Sequence, residues 1–342
     1  MTDTSIRPGV QPPDAAVAGK PGRVLPAAVS GQEYVLIGVI AVLWILLGIF
    51  TPAFLSPHSL QPMLTNVAPI ALIGIGMTVV IITAGIDISV AGMVMVCAVV
   101  VAKLLVDAHV PLAVAILAAI VVGGILGLVN GLLIAVGRVH PIIITFGTAN
   151  IFLFIGLRVF DSQVVNGIPE TLSVLGRGAE GRFLGVPVSF LIMIVLAAIA
   201  WWYLRYTAGG RHFYAIGSDA PAARLAGIRV ERRTIIAYLL TGLLVGLASC
   251  IVIASGTQSL APTVGRGIEL QVIAAVVIGG TSILGGRGSV LGTVLGAILV
   301  QTVTSGVIQL GWPSQLSLFF VGVAIIIAVG ADLLQQRLRR KA

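Results

Sequence analysis

The chain has 342 residues, of which 58% are hydrophobic and only 9% charged, with a mean hydropathy of +1.12. A soluble domain carries roughly 25% charged residues, so a soluble enzyme or binding module is excluded and the chain reads as an integral membrane protein. The net charge of +8 and pI near 10.2 follow from how basic residues divide between the two sides of a bilayer, so no nucleic-acid partner is implied.

Forty-two glycines among so many apolar residues fit closely packed transmembrane helices, whereas the strands of a barrel would alternate polar and apolar. The expected fold is all-α, a polytopic transmembrane bundle of about ten spans with both termini cytoplasmic. Residues 1–33, rich in Pro, Gly and Ala, hold no apolar core of signal-peptide length and read as a disordered cytoplasmic tail. With about 20 residues per span and breaks at Gly, Pro and charge clusters, helices fall near 34–51, 66–84, 88–106, 111–136, 141–160, 183–204, 234–255, 268–284, 289–308 and 314–334. Residues 34–335 thus form one membrane domain, and 336–342 a basic cytoplasmic tail that anchors the last helix at an anionic leaflet. The stretch VVGGILGLVNG (121–131) holds four glycines and Asn130, so the third and fourth spans could be broken or tilted.

Orientation follows from Lys and Arg. With the N-terminus inside, fifteen of the twenty basic residues fall on the cytoplasmic side. The other five, Lys103, Arg158, Arg177, Arg182 and Arg266, lie outside and are mixed there with acids. Cys97 and Cys250 each fall in an apolar run without CxxC or Cys/His spacing, so they read as packing residues and no metal site is expected.

Three segments stand out. In GIDISVAGMV (85–94) a lone acid, Asp87, sits between apolar stretches with Gly85 and Ser89 beside it; it reads as a cap on the third span, with an ion-coupling carboxylate as the functional alternative. The cytoplasmic stretch 205–233 contains a short helix, opened by Asp219 as N-cap with Ala220 and Pro221 in its first turn and closed by Gly227. That helix cannot bury itself within its own loop and needs a partner; the plainer alternative is a basic loop that only sets topology. In IGGTSILGGRGSVLGTVLG (278–296), Gly279–Gly280 and Gly285–Gly286 surround a turn carrying Arg287, and Gly288, Gly292 and Gly296 then give one helix a smooth packing face. Neither a Walker A loop nor a dinucleotide fingerprint is present. The turns at Asp87 and Arg287 share a plan of helix, Gly-rich turn with one charge, Ser (Ser89, Ser289) and helix, a weak candidate internal repeat.

Together, IGMTVVIITAGIDISVAGMV (75–94), YAIGSDAPAARLAGI (214–228) and VIGGTSILGGRGSVLGTVLGA (277–297) resemble the membrane permease subunits of bacterial ribose/xylose/rhamnose-type ABC importers, over roughly residues 35–335. The resemblance implies a multi-pass protein of the bacterial inner membrane and no enzymatic activity or cofactor on this chain. It implies ATP and Mg consumed by separate cytosolic ATP-binding subunits, a second permease subunit, identical or related, and a periplasmic binding protein that delivers a sugar. It assigns ATPase coupling to Gly217, Asp219, Ala222, Ala223, Arg224, Leu225, Gly227 and Ile228, although Pro221 stands where relatives often carry an acid. It also assigns Gly85, Asp87, Ser89, Gly279, Gly280, Gly285, Gly286 and Arg287 to gating or structural turns, with Ile88 for Leu and an extra Ala91 before Gly92 as departures.

Sugars need hydrogen-bonding groups, and Asn130 and Asn150, amides on adjacent spans, are the selected pathway residues among many polar groups at membrane depth. The outward loop 158–182 carries Arg158, Arg177 and Arg182, placed to meet acids of a docked binding protein. A branched-chain amino acid permease stays open as an alternative. So does an ion-coupled transporter, which should show paired intramembrane carboxylates; a membrane enzyme lacks a catalytic constellation.

Overall fold

The structure, a computed structural model, describes residues 31–161, 163–176, 178, 180–256 and 258–341, with side chains as far as residue 330. Of the expected N-terminal tail, residues 1–30 lie outside this range, and α1 begins at once at Gly31 and runs to Phe50. There follow α2 (Pro57–Ile82), α3 (Val90–Val106), α4 (Leu112–Gly137), α5 (Pro141–Phe160), α6 (Val188–Tyr206), α7 (Ala208–Ser218), α8 (Ala220–Leu225), α9 (Val230–Ser255), α10 (Ile268–Ile278), α11 (Val290–Gln309) and α12 (Gln315–Lys341). Seven of these, α1, α2, α4, α5, α6, α9 and α11, are long and apolar enough to cross a membrane; α3, α10 and the first part of α12 are shorter apolar helices.

Helix α2 is the axis of the bundle. Its most apolar window is 94% buried, which fits a helix apolar on all sides, and its side chains interleave with those of α3, α9, α10 and α11 in one core containing Leu72, Ile73, Met77, Met93, Val245, Val272 and Val300. The sequence places its start nearer residue 66, but the helix begins nine residues earlier, at Pro57. Pro57 sits in the first turn, where a missing N–H is harmless, while Pro62 and Pro69 stand inside the helix, tolerated because neighbouring helices can re-satisfy the freed carbonyls. By contrast α1, α5 and α6 bury few of their apolar side chains and carry exposed ones such as Ile45, Phe146 and Val195, the surface a bilayer would cover.

The glycines expected to weaken the fourth span do not break it: α4 is continuous, and they bring it against α9. A Cβ at Gly123 would lie 2.2 Å from the Gly242 carbonyl oxygen, and one at Gly127 2.3 Å from that of Tyr238. This is small-residue packing, in which backbones touch because side chains are absent. The repeat in α11 works the same way: a Cβ at Gly292 would meet the Gly279 oxygen at 1.9 Å and one at Gly296 the Ala275 oxygen at 2.0 Å.

Other boundaries also differ from expectation. Helix α10 stops at Ile278, not 284, because Gly280 turns with φ +92°. Residues 182–187 form a hairpin of β2 (Arg182–Phe183) and β3 (Val186–Pro187) before α6 starts, so that helix begins five residues late. Most of the expected basic tail, residues 336–341, continues α12 as helix. On the same face as the hairpin, β1 (Val165–Asn166) pairs antiparallel with β4 (Ser259–Leu260), and a 3-10 turn, Glu170–Leu175, buries Leu172 and Leu175 against the end of α9.

Candidate functional site

The stretch 205–233 folds into two helices rather than one. Thr207, extended at ψ 152°, caps α7 by accepting from the Gly210 N–H at 3.0 Å. Two glycines in the first turn and Gly217 near the end lower the intrinsic helix propensity of α7; burial of Phe213 and Ile216 against the bundle compensates. Asp219 is the expected cap of α8, its Oδ1 accepting from the Ala222 N–H at 3.0 Å. Gly227 closes α8 at φ +82°, and the Ile228 N–H donates to the Ala223 carbonyl at 3.0 Å, a left-handed C-terminal closure suited to glycine.

Within this loop the side chains sort into two sets. Ala223 is buried and Ile228 half-buried, whereas Leu225 is 91% exposed at the tip of α8. The helix that carries it is fixed at both ends, by the Asp219 cap and by the Gly227 closure. Arg224 does not point away from the chain: its Nη2 meets the Glu231 carboxylate at 2.7 Å, tying α8 to the first turn of α9.

Gly217 is where the three glycine-bearing segments meet. The Gly286 N–H donates to the Ile82 carbonyl at 2.9 Å, joining the turn before α11 to the end of α2. A Cβ on Gly217 would fall 1.7 Å from that same carbonyl oxygen and 2.5 Å from the Gly286 nitrogen, so α7 rests its backbone directly on both. Gly285 (φ +86°) abuts Ala84 and the Gly217 carbonyl, and Gly286 (φ +74°) abuts Ser218. The Tyr214 hydroxyl donates to the Gly288 carbonyl at 3.1 Å; burial raises its pKa, so it stays a donor across the physiological range. At the other side of the turn Ser289 caps α11, accepting from the Gly292 N–H at 3.2 Å and donating to the carboxylate of Glu33, a buried residue in the first turn of α1. Gly279 packs on the Gly292 backbone, Gly280 lies against Gln32, and Arg287 is half-buried with its carbonyl accepting from the Ser282 N–H.

Asp87 belongs to a separate buried brace. Its Oδ1 accepts from the Ser89 N–H at 3.0 Å and the Ser89 hydroxyl at 2.6 Å, and Asn130 Nδ2 donates to that hydroxyl at 2.8 Å. Ser89, not Asp87, occupies the N-cap position of α3; the carboxylate instead closes a turn two residues earlier, an Asx-type arrangement. The Thr145 hydroxyl donates to the Ile86 carbonyl at 3.1 Å, and a Cβ on Gly85 would meet the Tyr238 hydroxyl at 2.7 Å. The segment is thereby bolted to α4, α5 and α9.

The two asparagines do not converge. Asn130 is fully buried in this brace, while Asn150 lies on the exposed face of α5 with its amide donating to the Phe146 carbonyl. Arg158 and Arg182 are exposed, at the end of α5 and in β2; Arg177 lies outside the described residues. Sequence reasoning did not single out Glu33, Tyr214, Ser218 or Tyr238. A lone acid immediately before the first apolar run is the available signal for Glu33; the others give none.

The family model described as branched-chain amino acid transport system / permease component matches residues 59–329. A ribose import permease of Bacillus subtilis is 39% identical over 293 residues, 85% of this chain and 89% of the relative. A fructose import permease of Rhizobium meliloti is 33% identical over 284 residues, 82% of this chain and 79% of the relative. An autoinducer 2 import system permease of Salmonella typhi is 33% identical over 317 residues, 91% and 90% of the two chains. No solved structure matches. With the family model spanning nearly all the membrane helices and relatives this similar along most of their length, the chain belongs to the branched-chain amino acid transport system / permease component family.

Proposed function

We propose that this chain is the membrane-spanning permease subunit of an ATP-binding-cassette importer for a monosaccharide. The single observation that carries the reading is identity of 33–39% over 82–91% of the chain to permeases named for ribose, fructose and autoinducer 2 import, which favours sugar over branched-chain amino acid. Ten spans, with both termini cytoplasmic in the bacterial inner membrane, are supported by seven long and three shorter apolar helices and by the Lys and Arg asymmetry.

Partner ATPase subunits would bind ATP and Mg and receive Leu225, with Asp219, Ala222 and Gly227 shaping the knob. Their closure would displace α8. Through Arg224–Glu231 the displacement reaches α9, and through α7 it reaches Gly217, whose backbone contact leaves no slack before the ends of α2 and α11. Movement of packed elements as rigid bodies is the expected response of such an interface. Asn130 and Asn150 are the pathway residues of this reading, Asn150 as a polar group midway along an exposed face of α5 that would meet a second permease chain or the sugar, and Asn130 as a buried amide bonded to Ser89. Arg158, Arg177 and Arg182 would seat the periplasmic binding protein.

The test is reconstitution with the ATPase and binding proteins in proteoliposomes, following ATP-dependent uptake of labelled ribose, fructose and leucine. Gly227→Arg, at a left-handed position with open space around it, is expected to abolish coupling while the chain still inserts. Uptake of leucine but neither sugar would overturn the substrate class, and sugar accumulation without ATPase would overturn the importer class.

A further inference from the structure

Three buried side-chain atoms at the Asp87 brace have no hydrogen-bond partner within the protein: Asp87 Oδ2, Asn130 Oδ1 and the Tyr238 hydroxyl. All three residues are 0% exposed. They come from three elements, the turn between α2 and α3, then α4, then α9, and they meet at that turn. Asn130 lies within hydrogen-bond reach of the Ser89 hydroxyl, at 2.8 Å, and of the Asp87 carboxylate. The Tyr238 hydroxyl stands 2.7 Å from where a Cβ on Gly85 would be, two residues before Asp87, and within electrostatic reach of that carboxylate. A side chain at position 85 would push the phenol away; glycine leaves it in place.

The chemistry of these atoms narrows what fits among them. The single Ser89 hydroxyl proton goes to Asp87 Oδ1 at 2.6 Å, so Asn130 is the donor in its bond to Ser89 and its Oδ1 is a pure acceptor. Asp87 Oδ2 is a second acceptor, and the phenol oxygen offers lone pairs beside its one proton. Among the described residues no Lys, Arg or His lies within ion-pair reach of Asp87. Burial raises the pKa of this acid, in the turn outside both helices, to about 6, which leaves it mainly ionised at neutral pH. A water would satisfy lone pairs but leave the charge uncompensated, which a low-dielectric interior strongly disfavours. Hard oxygens carrying one negative charge suit an alkali cation. A divalent or transition metal calls for more carboxylate, His or Cys ligands, and no group of three such residues that could hold a metal exists among the described residues. We infer that Asp87, Asn130 and Tyr238 bind a monovalent alkali cation, sodium or potassium, which neutralises Asp87 and clamps the α2–α3 turn to α4 and α9. The inference is independent of which solute is carried. Because α9 starts at Val230, directly after the coupling loop, and its Glu231 holds Arg224, occupancy would fix that helix against α4.

The experiment titrates the full chain, purified in detergent, with radioactive sodium in a scintillation-proximity assay. Choline holds the ionic strength constant, and unlabelled sodium or potassium competes. Wild type is expected to bind one saturable ion per chain, and Asp87→Asn, which keeps an acceptor for Ser89 but removes the charge, is expected to bind none. Tyr238→Phe removes one ligand oxygen while leaving the bonds among Asp87, Ser89 and Asn130 in place. It is expected to weaken affinity roughly tenfold, and it decides the matter should Asp87→Asn fail to fold. Thermal unfolding gives a second readout, since an ion bound only by the folded chain stabilises it progressively above its Kd: stability should climb with sodium in wild type and stay flat in Asp87→Asn. Absence of saturable sodium or potassium binding in wild type overturns the proposal; an infrared carboxylic-acid band that disappears in Asp87→Asn would then give the neutralising role to a proton. Equal affinity in wild type and both variants overturns it as well, by placing the ion elsewhere.

Discussion

Gly217→Ala is the sharpest perturbation of the junction, because the obstacle to the new methyl is backbone that no rotamer change can move aside. The added carbon would start 1.7 Å from the Ile82 oxygen and 2.5 Å from the Gly286 nitrogen. Ordinary contact distances require α7 to retreat by about 1.5 Å. Overpacking of this kind costs about 1–3 kcal/mol, and prying apart the 2.9 Å bond between Gly286 and Ile82 adds about 1 kcal/mol. A local penalty near 3 kcal/mol disfavours the engaged packing by roughly a hundredfold, yet leaves the distant core of α2, α3 and α10 untouched. The chain should therefore insert and bind its ATPase, hydrolysis should persist, and sugar delivered per ATP should fall at least tenfold. Uptake and hydrolysis measured in the same proteoliposomes, with thermal unfolding alongside, check this; Gly38→Ala, where a Cβ meets nothing within 4 Å, is the matched control. Wild-type uptake per ATP in Gly217→Ala would refute the claim that this contact transmits force.

Gly123→Val should be far more damaging to folding than Gly147→Val, since the first would drive a branched side chain into the Gly242 carbonyl and the second meets open space; equal yields of folded, membrane-inserted protein would contradict the α4–α9 packing. Asp87→Ala should destabilise by about 2 kcal/mol more than Asp87→Asn, because only alanine strips acceptors from the buried Ser89 N–H and hydroxyl; similar shifts in unfolding for the two variants would count against the brace. A double-mutant cycle on Arg224 and Glu231, read through ATPase association, should return a coupling energy below about 1 kcal/mol, as the two side chains are 58% and 45% exposed. A value several times larger would mean that the pair is buried by the partner.

Much of the bundle is legible in the sequence because a bilayer demands long apolar runs and the chain interrupts them with Gly, Pro and charge. The ends of α3, α5 and α11 fall within two residues of expectation for that reason. Which way each helix faces is less legible: spans apolar all round carry no face in their pattern, so nothing in the sequence distinguishes buried Asn130 from exposed Asn150. Helix α7 escapes for a different reason. Its glycines argue against helix, and its stability comes from packing of Phe213 in a cluster with segments distant in sequence and of Ile216 against Ala223 and Val230. The glycine turns show a similar division. Their local role as turns and packing faces follows from Gly279–Gly280 and the four-residue repeat, but the meeting of Ile82, Gly217 and Gly286 needs three loops folded at once.

Ser289 shows how α1 is tied to that meeting point. Its hydroxyl accepts from the Gly292 N–H to start α11 and donates to Glu33 at the start of α1, while Gln32 reaches the Ile278 carbonyl at 3.4 Å. Removing the hydroxyl costs the cap, about 1 kcal/mol, and takes one donor from a buried carboxylate, a further 1–3 kcal/mol or so. Ser289→Ala is therefore expected to lower stability by about 3 kcal/mol. Glu33→Gln keeps an oxygen acceptor for Ser289 and should lower it by less than about 1 kcal/mol. Glu33→Ala removes the acceptor altogether, and its double variant with Ser289→Ala should fall short of the sum, since each of these two changes alone severs the shared bond; strictly additive losses in thermal unfolding would mean that the two side chains act independently. If they are coupled, α1 moves with the α11 cap, and a displacement entering at Gly217 reaches the first transmembrane helix as well as the second and the last but one.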